Sequence, residues 1–286
     1  MRLAILTPDP ADPAREGRWD QVFDRMAGPL RQAGAEVDGP AWTHAGDLSG
    51  YDLVLPLTTW GYHRAGARWT ELVGAWEAAG VQLRNPGSVL RWNSDKGYLG
   101  RLAERGAPVP PTIYVERVTT EAMAEAAAKF GTERLVAKPR VSASAYRTLR
   151  WRTGEPLADG PDGPALIQPY LPAIESEGEL SLFYLGGRYS HAVRKVPRSG
   201  DFRVQPEYQG VITAVEPAAD EREAAEAILA AVEDRLLYAR VDLVRGLEGR
   251  PVLMELELVE PDLYLGHAPD RGRRFVDVVL AEGASR

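Results

Sequence analysis

Leu253-Met-Glu-Leu-Glu-Leu-Val-Glu260 sets three carboxylates in a run that otherwise has the composition of a buried strand. Successive side chains of a strand alternate between faces, so Glu255 and Glu257 share one face while Met254, Leu256 and Leu258 fill the other. The preceding segment, Tyr238-Ala-Arg-Val-Asp-Leu-Val244, folds back through a turn at Arg245 to Arg250 and lies antiparallel to it. Arg240 and Asp242 then occupy one face, Val241 and Leu243 the other. A symmetric register brings Asp242 opposite Glu255 across strands about 5 Å apart. Carboxylates so close repel one another, and burying them without partners is costly, so the pattern calls for a cation. Oxygen ligands without His or Cys favour Mg2+ or Mn2+ over zinc. The alternative is a solvent-facing strand whose glutamates pair with lysine or arginine, and the hairpin alone does not separate the two. Glu260, next to Pro261, is assigned to the following loop.

The totals narrow the chemistry. With 286 residues, 44% of them hydrophobic, the chain can bury a large core as one α/β domain or as two to three lobes. There is no cysteine, which removes disulfides, thiolate metal sites and a thiol nucleophile. Met1 to Leu6 runs into Thr7-Pro-Asp-Pro10 too soon for a signal peptide, and no apolar run approaches the ~20 residues that span a bilayer. A soluble cytoplasmic protein without a membrane partner is expected. A net charge of −7 argues against a nucleic-acid partner and leaves a small molecule as the expected ligand.

Outward from the hairpin, the element order is α/β. A strand at Leu3 to Leu6, a helix near Trp19 to Ala33 stopped by Gly34, a strand over Asp52 to Leu57, a helix at Trp69 to Ala79 and a further extended segment, Val81 to Pro86, imply a parallel sheet. Ligands on such sheets sit beyond the carboxyl ends of the strands, where Asp9, Thr58, Trp60 and His63 fall. A boundary near residue 87 is followed by a helix expected over Asp95 to Glu104, an Ala-rich helix from Glu121 to Phe130, and short strands at Leu135 to Pro139 and Leu166 to Leu171. The polar segment 140–164 reads as a loop or lid. Leu180 to Leu185 turns through Gly186-Gly187 into Arg188 to Val196, a hairpin by its turn chemistry. A helix expected over Asp220 to Leu236 then leads to the carboxylate hairpin.

In this order the residues resemble the ATP-grasp superfamily of carboxylate-activating ligases, over about two thirds of the chain, from Asn85 to Tyr264. The resemblance implies that Lys96 of Asn93-Ser-Asp-Lys96 and Lys138 of Leu135-Val-Ala-Lys-Pro139 reach the phosphates of ATP. It makes Ile167-Gln-Pro-Tyr-Leu171 the adenine hinge, with Gln168, Pro169, Tyr170 and Leu171 at the nucleotide, and calls for an acidic partner of the ribose hydroxyls just downstream, best matched by Glu179, with Glu175 and Glu177 as alternatives. Pro169 has no N–H and only accepts there. Asp242, Glu255 and Glu257 match the ligands of the Mg2+ or Mn2+ ions, two of them by analogy, and Lys195 and Arg203 match the basic pair that clamps the transferring phosphoryl group. The family's glycine-rich phosphate loop is missing from Arg140-Val-Ser-Ala-Ser-Ala-Tyr-Arg147, where Ser142, Ser144 or Arg147 would substitute. No Walker-type Gly-x-x-x-x-Gly-Lys-[Ser/Thr] sequence is present.

The implied fold is an N-terminal parallel α/β domain (1–87) followed by two α+β lobes (88–171 and 172–286) that enclose the nucleotide. The implied reaction is ATP-dependent activation of a carboxylate as an acylphosphate for attack by an amine. The hinge is similar to that of glutathione-synthetase-type ligases. The Leu-Glu-Leu-Val-Glu-Pro ending is similar to that of cyclo-ligases that close O-ureido-D-serine to D-cycloserine, and an amino-acid substrate held by Asp9, Thr58, Trp60 and His63 follows from it. Dipeptide ligation and a non-catalytic ATP-binding regulator are the alternatives, and homo-oligomerisation stays open.

Overall fold

A computed structural model describes residues 1–143, 145–196 and 210–284. Strand β1 (Arg2–Ile5) is buried from Leu3 onward and lies between β2 (Glu36–Asp38) and β3 (Leu53–Leu55), parallel to both. Parallel neighbours need a crossover, and helix α1 (Trp19–Gln32) supplies the first. Its inward stripe, Val22, Met26, Ala27 and Leu30, covers one face of the sheet. Helix α2 (Gly66–Ala78) buries Trp69, Val73 and Trp76 on the other. Gly34 and Gly80 end the two helices at φ +92 and +73, a conformation that costs glycine little.

Helices α3 (Gly87–Asn93) and α4 (Tyr98–Glu104) lead to a four-stranded antiparallel sheet. It consists of β4 (Ile113–Val115), then β5 (Arg134–Pro139), β6 (Leu149–Arg152) and β7 (Ala165–Pro169) after helix α5 (Thr120–Phe130), in the order β4-β7-β5-β6. A short turn of helix, α6 (Ala173–Ser176), precedes a five-stranded antiparallel sheet. Its strands are β8 (Glu179–Leu185), β9 (Arg188–Val196), β10 (Val211–Val215) and, after helix α7 (Ala219–Ala230), β11 (Tyr238–Arg245) and β12 (Pro251–Glu257). The order is β10-β9-β8-β11-β12. The last helix, α8 (Arg273–Ala284), returns to the first sheet, and its Phe275 and Val279 join Leu3, Ile5, Phe183 and Tyr238 in one core.

Four sequence expectations change. The helix expected over 95–104 begins only at Tyr98, because the Asp95 carboxylate accepts the Gly97 N–H at 2.8 Å and takes Arg140 in two 2.8 Å bonds, and a separate helix, α3, precedes it. The Lys96 N–H donates to the Arg140 carbonyl, so the backbone here is spent on the segment after β5 instead of on a helix. The helix expected to reach Leu236 stops at Ala230, where Arg105 donates to the Ala231 carbonyl at 2.8 Å. The segment 140–164 contains β6, whose Leu149 and Trp151 point inward while Arg150 and Arg152 face solvent. The extended segment 81–86 pairs only through a Val54–Leu83 bridge.

The carboxylate strand β12 is an edge strand, and an edge leaves backbone groups to be satisfied. Side chains from α3, α4 and their approach do this. Leu256 N–H donates to the Tyr98 hydroxyl at 2.9 Å, Asn93 donates to the Leu256 carbonyl at 2.8 Å and accepts from Leu258 N–H at 2.9 Å. Asn85, fully buried, donates to the Tyr238 and Leu258 carbonyls at 3.0 and 2.9 Å and accepts from Leu237 N–H at 2.8 Å. It therefore joins the start of β11 to the end of β12. Asn85→Ala leaves those backbone groups buried without partners and is expected to cost about 2–4 kcal/mol. Urea unfolding measures this, and a loss under about 0.5 kcal/mol, the size of an ordinary surface change, would contradict it.

Candidate active site

The hairpin register pairs Asp242 with Glu255 and Arg240 with Glu257, with a bulge just after Asp242. The expected opposition of Asp242 and Glu255 is what the structure shows. One oxygen each from Asp242, Glu255 and Glu257 lie within 4.8 Å of one another. Asp242 is buried at 1% exposure, whereas Glu255 and Glu257 are half-buried and line a cleft of about 430 Å3.

Cations answer these charges, but two of them are shared. Arg240 binds Asp242 through Nε at 3.1 Å and Nη2 at 2.9 Å, and the same Nη2 donates to Glu257. Lys195 pairs with Glu179 and lies 3.5 Å from Asp242. The Ser181 hydroxyl also donates to Asp242. Burial disfavours the Asp242 carboxylate, yet Arg240 and Lys195 outweigh it and hold the group below the usual carboxylate range. Glu257 fares differently. Burial, together with Glu255 and Asp242, pushes its carboxyl well above that range, because its guanidinium is shared with Asp242. A cluster of oxygen donors with two members open to the cleft, one of them pushed toward its neutral form, fits a hard divalent cation.

Three lysines converge on this cluster from different elements. Lys96, in the break between α3 and α4, donates to Glu255 Oε1 at 2.9 Å and to the Ser142 carbonyl at 2.7 Å. The ion pair holds Glu255 ionised against burial. Lys138 extends from β5 and makes no ion pair among the described residues; burial first, then Lys96, holds its ammonium below the ordinary lysine range while Glu255 opposes them. Lys195, in register with Glu179 across β8 and β9, is kept protonated by Asp242 and Glu179 in spite of burial. The loop after β5 takes the backbone shape that glycine usually provides, with Ala145 and Arg147 at φ +55 and +51.

The remaining expected residues divide. Trp60 and His63 line the cleft opposite the hairpin, with His63 held down to about 4 by burial, Arg64 and Lys96, hence neutral at physiological pH. Thr58 is fully buried and its hydroxyl donates to the Leu6 carbonyl at 2.7 Å, and Asp9 accepts the Ala11 N–H at 2.7 Å in its own loop; neither lines the cleft. Gln168 and Pro169 end β7 and Tyr170 and Leu171 follow it, and none of the four is among the residues that line this cleft. Gln168 donates to Thr112 at 2.9 Å, and the Tyr170 ring packs under the Arg134 guanidinium at 4.3 Å. Arg203 and Ser144 lie outside the described residues.

Comparison with known proteins places this arrangement. Residues 3–85 match the family model "D-cycloserine synthetase DcsG, N-terminal domain". The cycloserine biosynthesis protein DcsG of Streptomyces lavendulae is 33% identical over an alignment of 223 positions that covers 71% of this chain and 73% of that one. The chain belongs to the DcsG family of ATP-grasp ligases. The crystal structure of D-cycloserine synthetase DcsG superposes with a TM-score of 0.84 at 26% identity, over 99% of this chain and all of that one. D-alanine–D-alanine ligase from Bacillus anthracis shares the fold at a TM-score of 0.71 and 16% identity, over 99% of this chain and 97% of that one. This DcsG-family protein is thus an ATP-dependent carbon–nitrogen ligase that forms ADP. The parallel α/β unit followed by antiparallel sheets is the ATP-grasp fold expected from the sequence. Among the described residues, no helix of this ligase is long and apolar enough to cross a membrane.

Sequence reasoning missed several residues of the DcsG-family cleft. Arg240 was legible on the face of Asp242, but its division between two carboxylates is a tertiary fact. Arg18, Glu260, Asp262 and Tyr264 also line the cleft, Arg18 binding Asp262 at 2.6 Å. They lie on loops without periodic patterning, and the alternation that marks Glu255 and Glu257 stops at Leu258-Val259, before Glu260.

Proposed function

We propose that the chain activates the carboxylate of a small amino acid and closes it on an amine of the same molecule, in its sharpest form O-ureido-D-serine to D-cycloserine. A substrate carboxylate oxygen attacks the γ-phosphorus of ATP, ADP leaves, the ureido nitrogen attacks the acyl carbon, and phosphate leaves. Water then removes the carbamoyl group as carbamate. The observation that carries this reading is the convergence of Asp242, Glu255 and Glu257 on one cleft walled on its far side by Trp60 and His63. The cycloserine role named for the Streptomyces lavendulae relative supports the substrate.

Asp242, Glu255 and Glu257 would hold Mg2+ or Mn2+, two ions by analogy, which neutralise phosphate charge as it redistributes. Lys96 and Lys138 bind the phosphates, and Lys195 with Arg203 steadies the equatorial oxygens of the phosphoryl group in flight. The segment Gln168 to Leu171 receives adenine, with Glu179 at the ribose and Ser144 in the phosphate loop. Residues 1–87 form the substrate-side lobe, 88–171 and 172–286 the two nucleotide lobes.

The test is ADP release from Mg-ATP across a panel of amino acids. O-ureido-D-serine is expected to give the largest stimulation, with cycloserine as product. Stronger stimulation by a pair such as γ-glutamylcysteine with glycine would overturn ring closure in favour of intermolecular ligation, and release indifferent to every amino acid would overturn the amino-acid substrate.

A further inference from the structure

We propose that Glu260 receives the α-ammonium group of the amino-acid substrate. The assignment rests on the amino-acid reading above and adds the residue that recognises this class. Six carboxylates line the cleft, and five have a cation within reach: Glu179 has Lys195, Asp242 has Arg240 and Lys195, Glu255 has Lys96, Glu257 has Arg240 and Asp262 has Arg18. Glu260 makes no ion pair among the described residues. A half-buried carboxylate left without a cation is costly, and a cationic group of the ligand removes that cost on binding.

The position of Glu260 is fixed rather than incidental. The Trp60 indole N–H donates to the Glu260 carbonyl at 3.2 Å, the Tyr238 hydroxyl donates to the Val259 carbonyl at 2.9 Å, and Pro261 restrains the chain beyond. Glu260 therefore stands where the hairpin meets the first lobe, three residues past Glu257 and against the Trp60 wall. An amino acid whose ammonium rests there has its carboxylate free to face Asp242, Glu255 and Glu257, where the γ-phosphate is to be met. The other groups on that wall do not compete. His63 is neutral, and Asp12 behind it is committed to Arg64. Burial, with Glu255 nearby, raises the Glu260 carboxyl to about 7, as befits a group still waiting for its cation.

The experiment measures steady-state ADP release by the full chain with O-ureido-D-serine and with its α-N-acetyl derivative, in the wild type, Glu260→Gln and Glu260→Asp. In Glu260→Gln the KM for O-ureido-D-serine is expected to rise by roughly 30-fold or more, as for loss of a desolvated charge pair, with the loss falling on KM rather than on kcat and with KM for ATP unmoved. The wild type is expected to prefer the free amine strongly, Glu260→Gln to lose that preference, and Glu260→Asp to fall between. An unchanged preference in both variants overturns the assignment while leaving the ligase reading in place. A wild type that ignores O-ureido-D-serine and every other amino acid removes the substrate reading and the assignment together.

Discussion

Glu255→Gln is expected to lower ligation by about 10³-fold or more while leaving the fold intact. Glu255 lies opposite Asp242 in the hairpin register, its carboxylate is half-buried at the cleft, and its one strong partner is Lys96 at 2.9 Å. Glutamine keeps the volume and can still accept from Lys96, but it removes a full negative charge from the donor set proposed to hold the divalent cations. Losing a charge aimed at a developing transition state costs several powers of ten in rate. Stability is expected to hold, because the edge of β12 is fastened by Asn85, Asn93 and Tyr98 and not by Glu255. Coupled ADP release and urea unfolding measure the two halves, and unchanged turnover would take this strand out of the reaction.

Lys138→Ala is expected to weaken ATP binding by about 100-fold, near 3 kcal/mol, the size of a lost charge-assisted contact to phosphate. The ammonium comes from β5, faces Glu255 and Lys96, and has no ion pair among the described residues. A lysine whose charged form is penalised by burial is a liability to the empty protein and an asset once a polyanion arrives. The same variant is therefore expected to be no less stable than the wild type in the absence of nucleotide, since the desolvated charge is removed. Calorimetry with a non-hydrolysable ATP analogue is the direct measurement. Nucleotide affinity that does not change would contradict the phosphate role, and a marked loss of apo stability would mean that Lys138 serves the fold.

These two residues also show what the sequence could reveal. The carboxylate hairpin was legible because period-two alternation, the turn at 245–250 and the acidic positions all agree, and Asp242 opposite Glu255 follows from counting alone. Lys138 was legible as a lysine on a short apolar strand. The helix over 87–93 and the delayed start of the next at Tyr98 were not, since Asp95 reads as a first-turn residue and only the distant Arg140 diverts it. Strand β6 was hidden because its alternation spans just four residues inside a polar segment. Thr58 stood in the right loop, but which hydroxyl faces a ligand and which one ties down a strand is decided by packing, and here Leu6 takes it. Arg240, Arg18 and Glu260 become parts of one site only when the first lobe and the hairpin are brought together.

The central claim is that Asp242, Glu255 and Glu257 hold the divalent ions that carry the nucleotide's phosphates. Crystals grown with Mn2+ and a non-hydrolysable ATP analogue test it most directly through the anomalous signal of manganese. The expected result is an anomalous peak among these carboxylates, bonded to their oxygens and to the phosphate tail, with Glu257 released from Arg240. A structure with the analogue bound, the manganese elsewhere and the three carboxylates still held only by Arg240, Lys195 and Lys96 would contradict it.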